Sequence, residues 1–180
     1  MRKTLLGGMA AAMFLTGCGP LGKVEQGRVI AYDRQTRQVT LIPEPGLLPA
    51  VTVAAPTDPN EMGQAPAAGG LMLIDSKNRR IVIYDRATQA LRTIQYTPVA
   101  ERHDVLKSPG PPVVDRAKKT ITFYAAKDRA VITFAASDDL LKMPAGTWQA
   151  GDVVRYYYKD PAQALRFMNV TKTDLSKATG

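Results

Sequence analysis

The sequence predicts an all-β fold: a mostly antiparallel barrel or sandwich of about ten or eleven short strands, with one short helix. Three observations predict it. Short runs rich in Val, Ile, Thr and Tyr alternate apolar and polar residues at period two. The breaks between them carry Asp, Asn, Gly and Pro, the residues of tight turns. No stretch sustains an apolar stripe at period 3.6 over more than two turns. The 180 residues are 45% apolar and 22% charged, enough to bury a core without disulfides or a structural metal.

The strand runs, in chain order, are Arg28–Tyr32, Gln38–Ile42, Leu71–Ile74, Arg80–Tyr84, Leu91–Tyr96, Thr120–Tyr124, Ala130–Phe134, Asp152–Tyr158 and Leu165–Val170, with Val51–Val53 as a short addition. The helix is Ser137–Met143. Ser137 suits its cap, and Asp138 and Asp139 suit the positive end of its dipole. Asp-Arg pairs at Asp33, Asp85, Asp115 and Asp128 fall where one strand ends and the next begins, and Asp75-Ser-Lys-Asn-Arg79 reads the same way. An Asp at the first turn position accepts hydrogen bonds from backbone N–H groups two residues on. The intervals between the pairs are irregular, so they do not mark a solenoid or propeller repeat.

Two stretches interrupt the strands. Residues 43–70 hold six Pro and four Gly, too many for a continuous strand or helix. Within them, residues 54–70 offer only Met62 as a large apolar anchor, which predicts a mobile loop that tolerates shortening. The second break, Ser108-Pro-Gly-Pro-Pro112, leaves two organisations open. Residues 28–175 form either one β-rich domain or two modules, 28–97 and 113–175.

The first segment reads as a leader. Arg2 and Lys3 precede an apolar run, Leu5 to Leu15, that is too short for a bilayer span, which needs roughly 20 residues in a helix. Leu15-Thr16-Gly17-Cys18 resembles the lipobox of bacterial lipoproteins, and the chain's single Cys occupies its modified position. The resemblance implies a signal peptide over 1–17, fatty acylation (palmitate) on Cys18, and a lipidated tether over 18–27. Gly19 is not the Asp that retains enterobacterial lipoproteins at the inner membrane, so the analogy favours a periplasm-facing location at the outer membrane. Two or more acyl chains give stable attachment where one gives only marginal binding.

The sequence names no chemistry. One Cys rules out a disulfide framework, and one His rules out sites that need several imidazoles. No Walker A, GxGxxG, HExxH, EF-hand or Gly-x-Ser-x-Gly pattern is present. His103, beside Asp104, is the one candidate base. Asp58, Asn60 and Glu61 make a poor calcium loop, with Pro59 among them and no Gly in register. The aromatic signal is Tyr156-Tyr157-Tyr158: on a strand, Tyr157 shares a face with Arg155 and Lys159. With Trp148, these are the candidate binding residues, read either as a stacking platform or as a barrel strand with one outward Tyr between two cations.

Gln26 to Leu41 resembles the opening hairpin of small OB-like barrels, and Ser137–Met143 followed by Trp148-Gln-Ala-Gly-Asp-Val-Val is similar to their helix and Gly-Asp-x-Val strand. Some of those proteins are periplasmic copper carriers, but here Met, Trp and His103 are scattered. The reading is therefore a lipid-anchored envelope protein that acts as a non-enzymatic binding or structural module, with no cofactor, metal or catalytic residue. Its net charge of +6 after residue 17 suits anionic envelope components or another envelope protein, not nucleic acid. A periplasmic hydrolase using His103 and a metal-binding accessory protein are the alternatives.

Overall fold

A computed structural model describes residues 22–44 and 49–173. Cys18 and the rest of the segment expected to be a leader lie outside them. The chain is all-β as the period-two runs predict, with twelve strands and two short helices among the described residues. It runs β1 (Lys23–Asp33), β2 (Gln38–Pro43), β3 (Val51–Ala54), α1 (Pro59–Met62), β4 (Leu71–Asp75), β5 (Arg80–Asp85), β6 (Ala90–Gln95) and β7 (Pro98–Arg102). There follow β8 (Val113–Asp115), β9 (Thr120–Ala125), β10 (Ala130–Ala135), α2 (Asp138–Leu141), β11 (Val153–Asp160) and β12 (Gln163–Asn169). Two of these strands escape a periodicity reading. β7 starts at a Pro and carries Glu101-Arg102, and β8 is three residues long.

Five strands close a barrel in the order β1-β11-β12-β3-β2. All neighbours are antiparallel except β12 and β3, which meet in parallel at Gln163 and Ala54. Its core holds Val29, Leu41, Val53, Val154, Tyr156 and Phe167. The chain between β3 and β11 forms a three-stranded sheet, β4-β5-β6, and a four-stranded sheet, β7-β10-β9-β8. These two sheets share a second core that includes Ile81, Ile83, Phe123, Ile132, Phe134 and Trp148. The division therefore differs from modules at 28–97 and 113–175. The two ends of the chain pair with each other in one barrel, and the second core is inserted between them. Residues 23–27, expected in the tether, are already barrel strand, with Gly27 paired to Val154 and Pro43.

A third cluster, Ile30, Ile42 and Tyr84, joins the barrel to the three-stranded sheet, and Arg86 Nη2 donates to the Ile30 carbonyl at 2.6 Å. The Pro/Gly-rich stretch is part of this junction, which corrects the expectation of a free loop over 54–70. Ala55, Pro56, Met62, Pro66, Gly69 and Gly70 are buried, and Met62 enters the barrel core. Asp58 caps α1, its Oδ1 accepting from Asn60 N at 2.9 Å, and Glu61 pairs with Arg166 at 3.0 Å, so both carboxylates of this poor calcium loop have structural partners. The second helix forms as predicted but shorter. Ser137 occupies its cap position and turns its hydroxyl to Asp139 instead of to a backbone N–H.

The Asp turns follow the predicted chemistry. Asp33 Oδ1 accepts from Gln35 N at 2.8 Å, Asp75 from Asn78 N at 3.1 Å, Asp85 from Ala87 N at 2.9 Å and Asp115 from Lys118 N at 2.9 Å. Each of these four turns ends on a non-Gly residue in the left-handed region: Arg37, Arg79, Gln89 and Lys119, with φ between 51° and 57°. Asp128 differs. It ends a 3-10 turn, and its carboxylate accepts from Ser76 Oγ at 2.5 Å, tying two hairpin turns together. Left-handed backbone costs an L side chain roughly 1–2 kcal/mol, partly offset by the extra unfolded-state freedom of Gly, about 0.4–1 kcal/mol. Gln89→Gly should therefore raise stability by about 0.5 kcal/mol and Gln89→Val lower it by more, as read by urea midpoints.

Candidate functional site

Strand β11 is built on alternation. Val154, Tyr156 and Tyr158 are buried inside the barrel, while Arg155, Tyr157 and Lys159 lie on its outer surface. Phenols inside a barrel need acceptors. Glu25 of β1 serves both: Tyr156 Oη donates to its Oε2 at 2.8 Å and Tyr158 Oη to its Oε1 at 2.5 Å. These bonds, that of Tyr158 first, hold the Glu25 carboxyl below its ordinary range despite the opposing effect of burial. Tyr156 is raised by burial first and then by Glu25, and Tyr158 is raised mainly by its bond to Glu25. The Tyr156 ring lies 5.4 Å from that of Tyr158 and stacks on Phe167 at 6.5 Å. This triad is the polar filling of the barrel core, with each acidic or phenolic oxygen engaged.

The outer face gathers residues from three strands. The register sets Tyr157 opposite Val24 on one side and Arg166 on the other, and Arg155 opposite Gln26 and Met168. Arg155 Nη2 donates to Gln26 Oε1 at 3.0 Å, and Gln26 Nε2 in turn donates to Glu44 Oε2 at 2.7 Å. The Tyr157 ring lies over Gly22. A Cβ built there would meet the ring at 2.1 Å, so a larger residue at 22 would require the Tyr157 side chain to swing away. Val24 is 61% exposed, and Met168 beside Arg155 is 37% exposed. The result is an aromatic and apolar strip flanked by cations, at the edge of the barrel where the chain enters it.

Of the four predicted binding residues, this face unites Arg155, Tyr157 and Lys159. Trp148 is a correction. It is 1% exposed in the second core, 6.0 Å from the Phe134 ring, and packs as a core residue instead of a platform. His103 is elsewhere again, just past the edge strand β7, solvent-exposed and 3.6 Å from Glu101. Among the described residues no cluster of three His, Cys, Asp or Glu side chains is placed to hold a metal ion. Sequence reasoning missed Gly22, Val24, Gln26 and Arg166. Val24 and Gln26 depend on a register between strands some 130 positions apart in sequence, and Arg166 on the bulged register of the β11–β12 hairpin, neither of which periodicity encodes.

The structure also divides the charge. Residues 71–148 carry thirteen Lys and Arg against eight Asp and Glu, whereas the described barrel segments and α1 stretch carry eight against seven. The basic excess therefore belongs to the inserted sheets, and the barrel is nearly neutral apart from local patches. A family model described as a domain of unknown function (DUF4881) matches residues 20–178. No curated protein and no solved structure matches the chain.

Proposed function

This chain belongs to the DUF4881 family, and we propose that it is a lipid-anchored protein of the bacterial envelope that acts as a non-enzymatic binding or structural module. The observation that carries the reading is a junction in the chain. A basic and apolar leader ends at Leu-Thr-Gly-Cys18, and the first barrel strand begins five residues later, at Lys23. The family match likewise starts at residue 20, past the leader and its Cys. The circular order of the barrel, with strands one, two, three, five and four in succession around it and one parallel contact, is that of OB-type barrels and supports the resemblance seen at both chain ends. His103, Trp148 and the tyrosines of β11 occupy three separate places and do not converge on one pocket, as suits a binding module better than a hydrolase.

Cells expressing the protein should incorporate labelled palmitate into it, and Cys18→Ser should abolish the label. The variant should then leave the membrane fraction or accumulate as an unprocessed precursor. Absence of label from the wild-type protein would overturn the anchor. Separation of inner and outer membranes on a density gradient tests the location, with the outer membrane expected.

A further inference from the structure

Resting on the lipid-anchor reading, we propose that the outer face of β1, β11 and β12 is a membrane-contact surface, seated on the anionic phospholipid headgroups of the leaflet that holds the anchor. The argument begins with reach. However residues 18–22 are arranged, five residues span at most about 18 Å, so the start of β1 stays near the bilayer surface. The row of side chains closest to that start is Val24, Tyr157 and Arg166, with Lys23 opposite Tyr158 on the same pair of strands.

The chemistry of this row matches an interface. Tyr is enriched at the headgroup level because its ring is apolar and its hydroxyl wet, and here Tyr157 lies beside the largely exposed Val24. On the same outer face stand Arg155 and Lys159. Arg155 is bonded to the neutral amide of Gln26, so its charge is not cancelled by a direct acidic partner. Of the nearby acids, Glu61 is paired with Arg166 at 3.0 Å, whereas Glu44 and Asp160 accept from neutral groups, the Gln26 amide at 2.7 Å and Ala162 N at 2.9 Å, and keep their charge. The cations therefore act as a local pair at Arg155 and Lys159 and not as a net excess. Lys and Arg near an anionic leaflet each strengthen binding by about fivefold, falling off within a Debye length of about 8 Å at physiological salt. The inserted sheets carry more positive charge in total, yet the tether brings the barrel face, not the insertion, to the surface first. This seating directs the inserted sheets toward the periplasm.

The test keeps the tether and replaces the acylation: the mature chain, residues 18–180, is coupled through its single thiol, Cys18, to a maleimide lipid in vesicles. Tyr157→Trp supplies a site-specific readout against the buried Trp148. On vesicles containing about 30% phosphatidylglycerol its emission should shift blue and be quenched by brominated lipid, and much less so on purely phosphatidylcholine vesicles. Adding Arg155→Ala and Lys159→Ala should remove most of that quenching, whereas Lys77→Ala with Lys127→Ala on the inserted sheets should change it less than twofold. Thermal melts of the same variants confirm the fold. Emission insensitive to lipid, equal quenching on zwitterionic vesicles, or an equal loss from the two lysine substitutions on the insertion would each overturn the surface. None of these outcomes depends on whether Cys18 is acylated in cells, which the palmitate label reads separately.

Discussion

Gly151→Ala should destabilise the protein by about 3 kcal/mol or more, lowering its melting temperature by roughly 10 °C. Three backbone segments cross at this point. Val29 N donates to Asp152 O at 2.9 Å, Gly69 N donates to Val29 O at 3.1 Å, and Asp152 N donates to Ala67 O at 2.9 Å. A Cβ on Gly151 would lie 1.9 Å from the Val29 carbonyl oxygen and 2.9 Å from Gly69 N. Both obstacles are backbone, so neither can rotate away. Either the β1 strand moves, breaking its pairing with β2 and β11, or the 67–69 segment lifts off the barrel. Gly146→Ala is the control, because a Cβ there meets nothing within 4 Å and should alter stability little. A melting temperature for Gly151→Ala within a degree or two of wild type would show that the crossing is slack.

Asp152→Ala should lower stability by about 3 kcal/mol at neutral pH, with a large part of that loss absent in acid. The Asp152 side chain is 9% exposed and its Oδ2 accepts from Ala67 N at 2.7 Å and Asn169 Nδ2 at 2.8 Å, with Lys172 Nζ at 3.1 Å. Removing the carboxylate leaves the fully buried Asn169 amide and the Ala67 N–H without their acceptor, while the half-exposed Lys172 ammonium keeps its bond to the Ala65 carbonyl at 2.9 Å. Burial alone would raise the Asp152 pKa, but the bonds from Ala67, Asn169 and Lys172 outweigh it, so the folded value lies below the ordinary one. The sign follows from linkage. A carboxyl with a depressed folded pKa stabilises fully above its unfolded pKa, near 4, and loses that contribution as pH falls through the lower folded value. Urea midpoints of wild type and Asp152→Ala should therefore lie furthest apart near pH 7 and converge as pH falls through the lowered folded pKa. A gap independent of pH would assign the loss to packing instead of charge.

Both predictions concern residues that hold the stretch the sequence presents as expendable: Gly151 crosses it at Gly69, and Asp152 binds it at Ala67. Residues 54–70 look free because they are short of large apolar side chains and rich in Pro and Gly. In the structure those same Gly residues permit close backbone crossings, and Met62 plugs the barrel core. A glycine that frees a loop and a glycine that admits a neighbouring backbone look alike in sequence. What distinguishes them is the partner segment, here residues 147–152, about 80 positions away.

The sequence by itself determined the fold class, the strands with clean period-two alternation and the Asp turns, because these rest on local rules: side-chain direction along a strand and hydrogen bonds spanning two or three residues. It also determined that Tyr157 shares a face with Arg155 and Lys159 while Tyr156 and Tyr158 take the other. Tertiary structure alone decided which face is inside, because that depends on the curl of the five-stranded sheet and on Glu25 waiting there for two phenols. It likewise sent Trp148 to a core, where its large apolar surface outweighs a surface role, and brought Val24, Arg166 and Gly22 to Tyr157. Finally, it decided that the chain ends form one barrel with the second core inserted between them. Strand pairing at long range is set by the total burial of both faces, and no window of neighbouring residues contains that quantity.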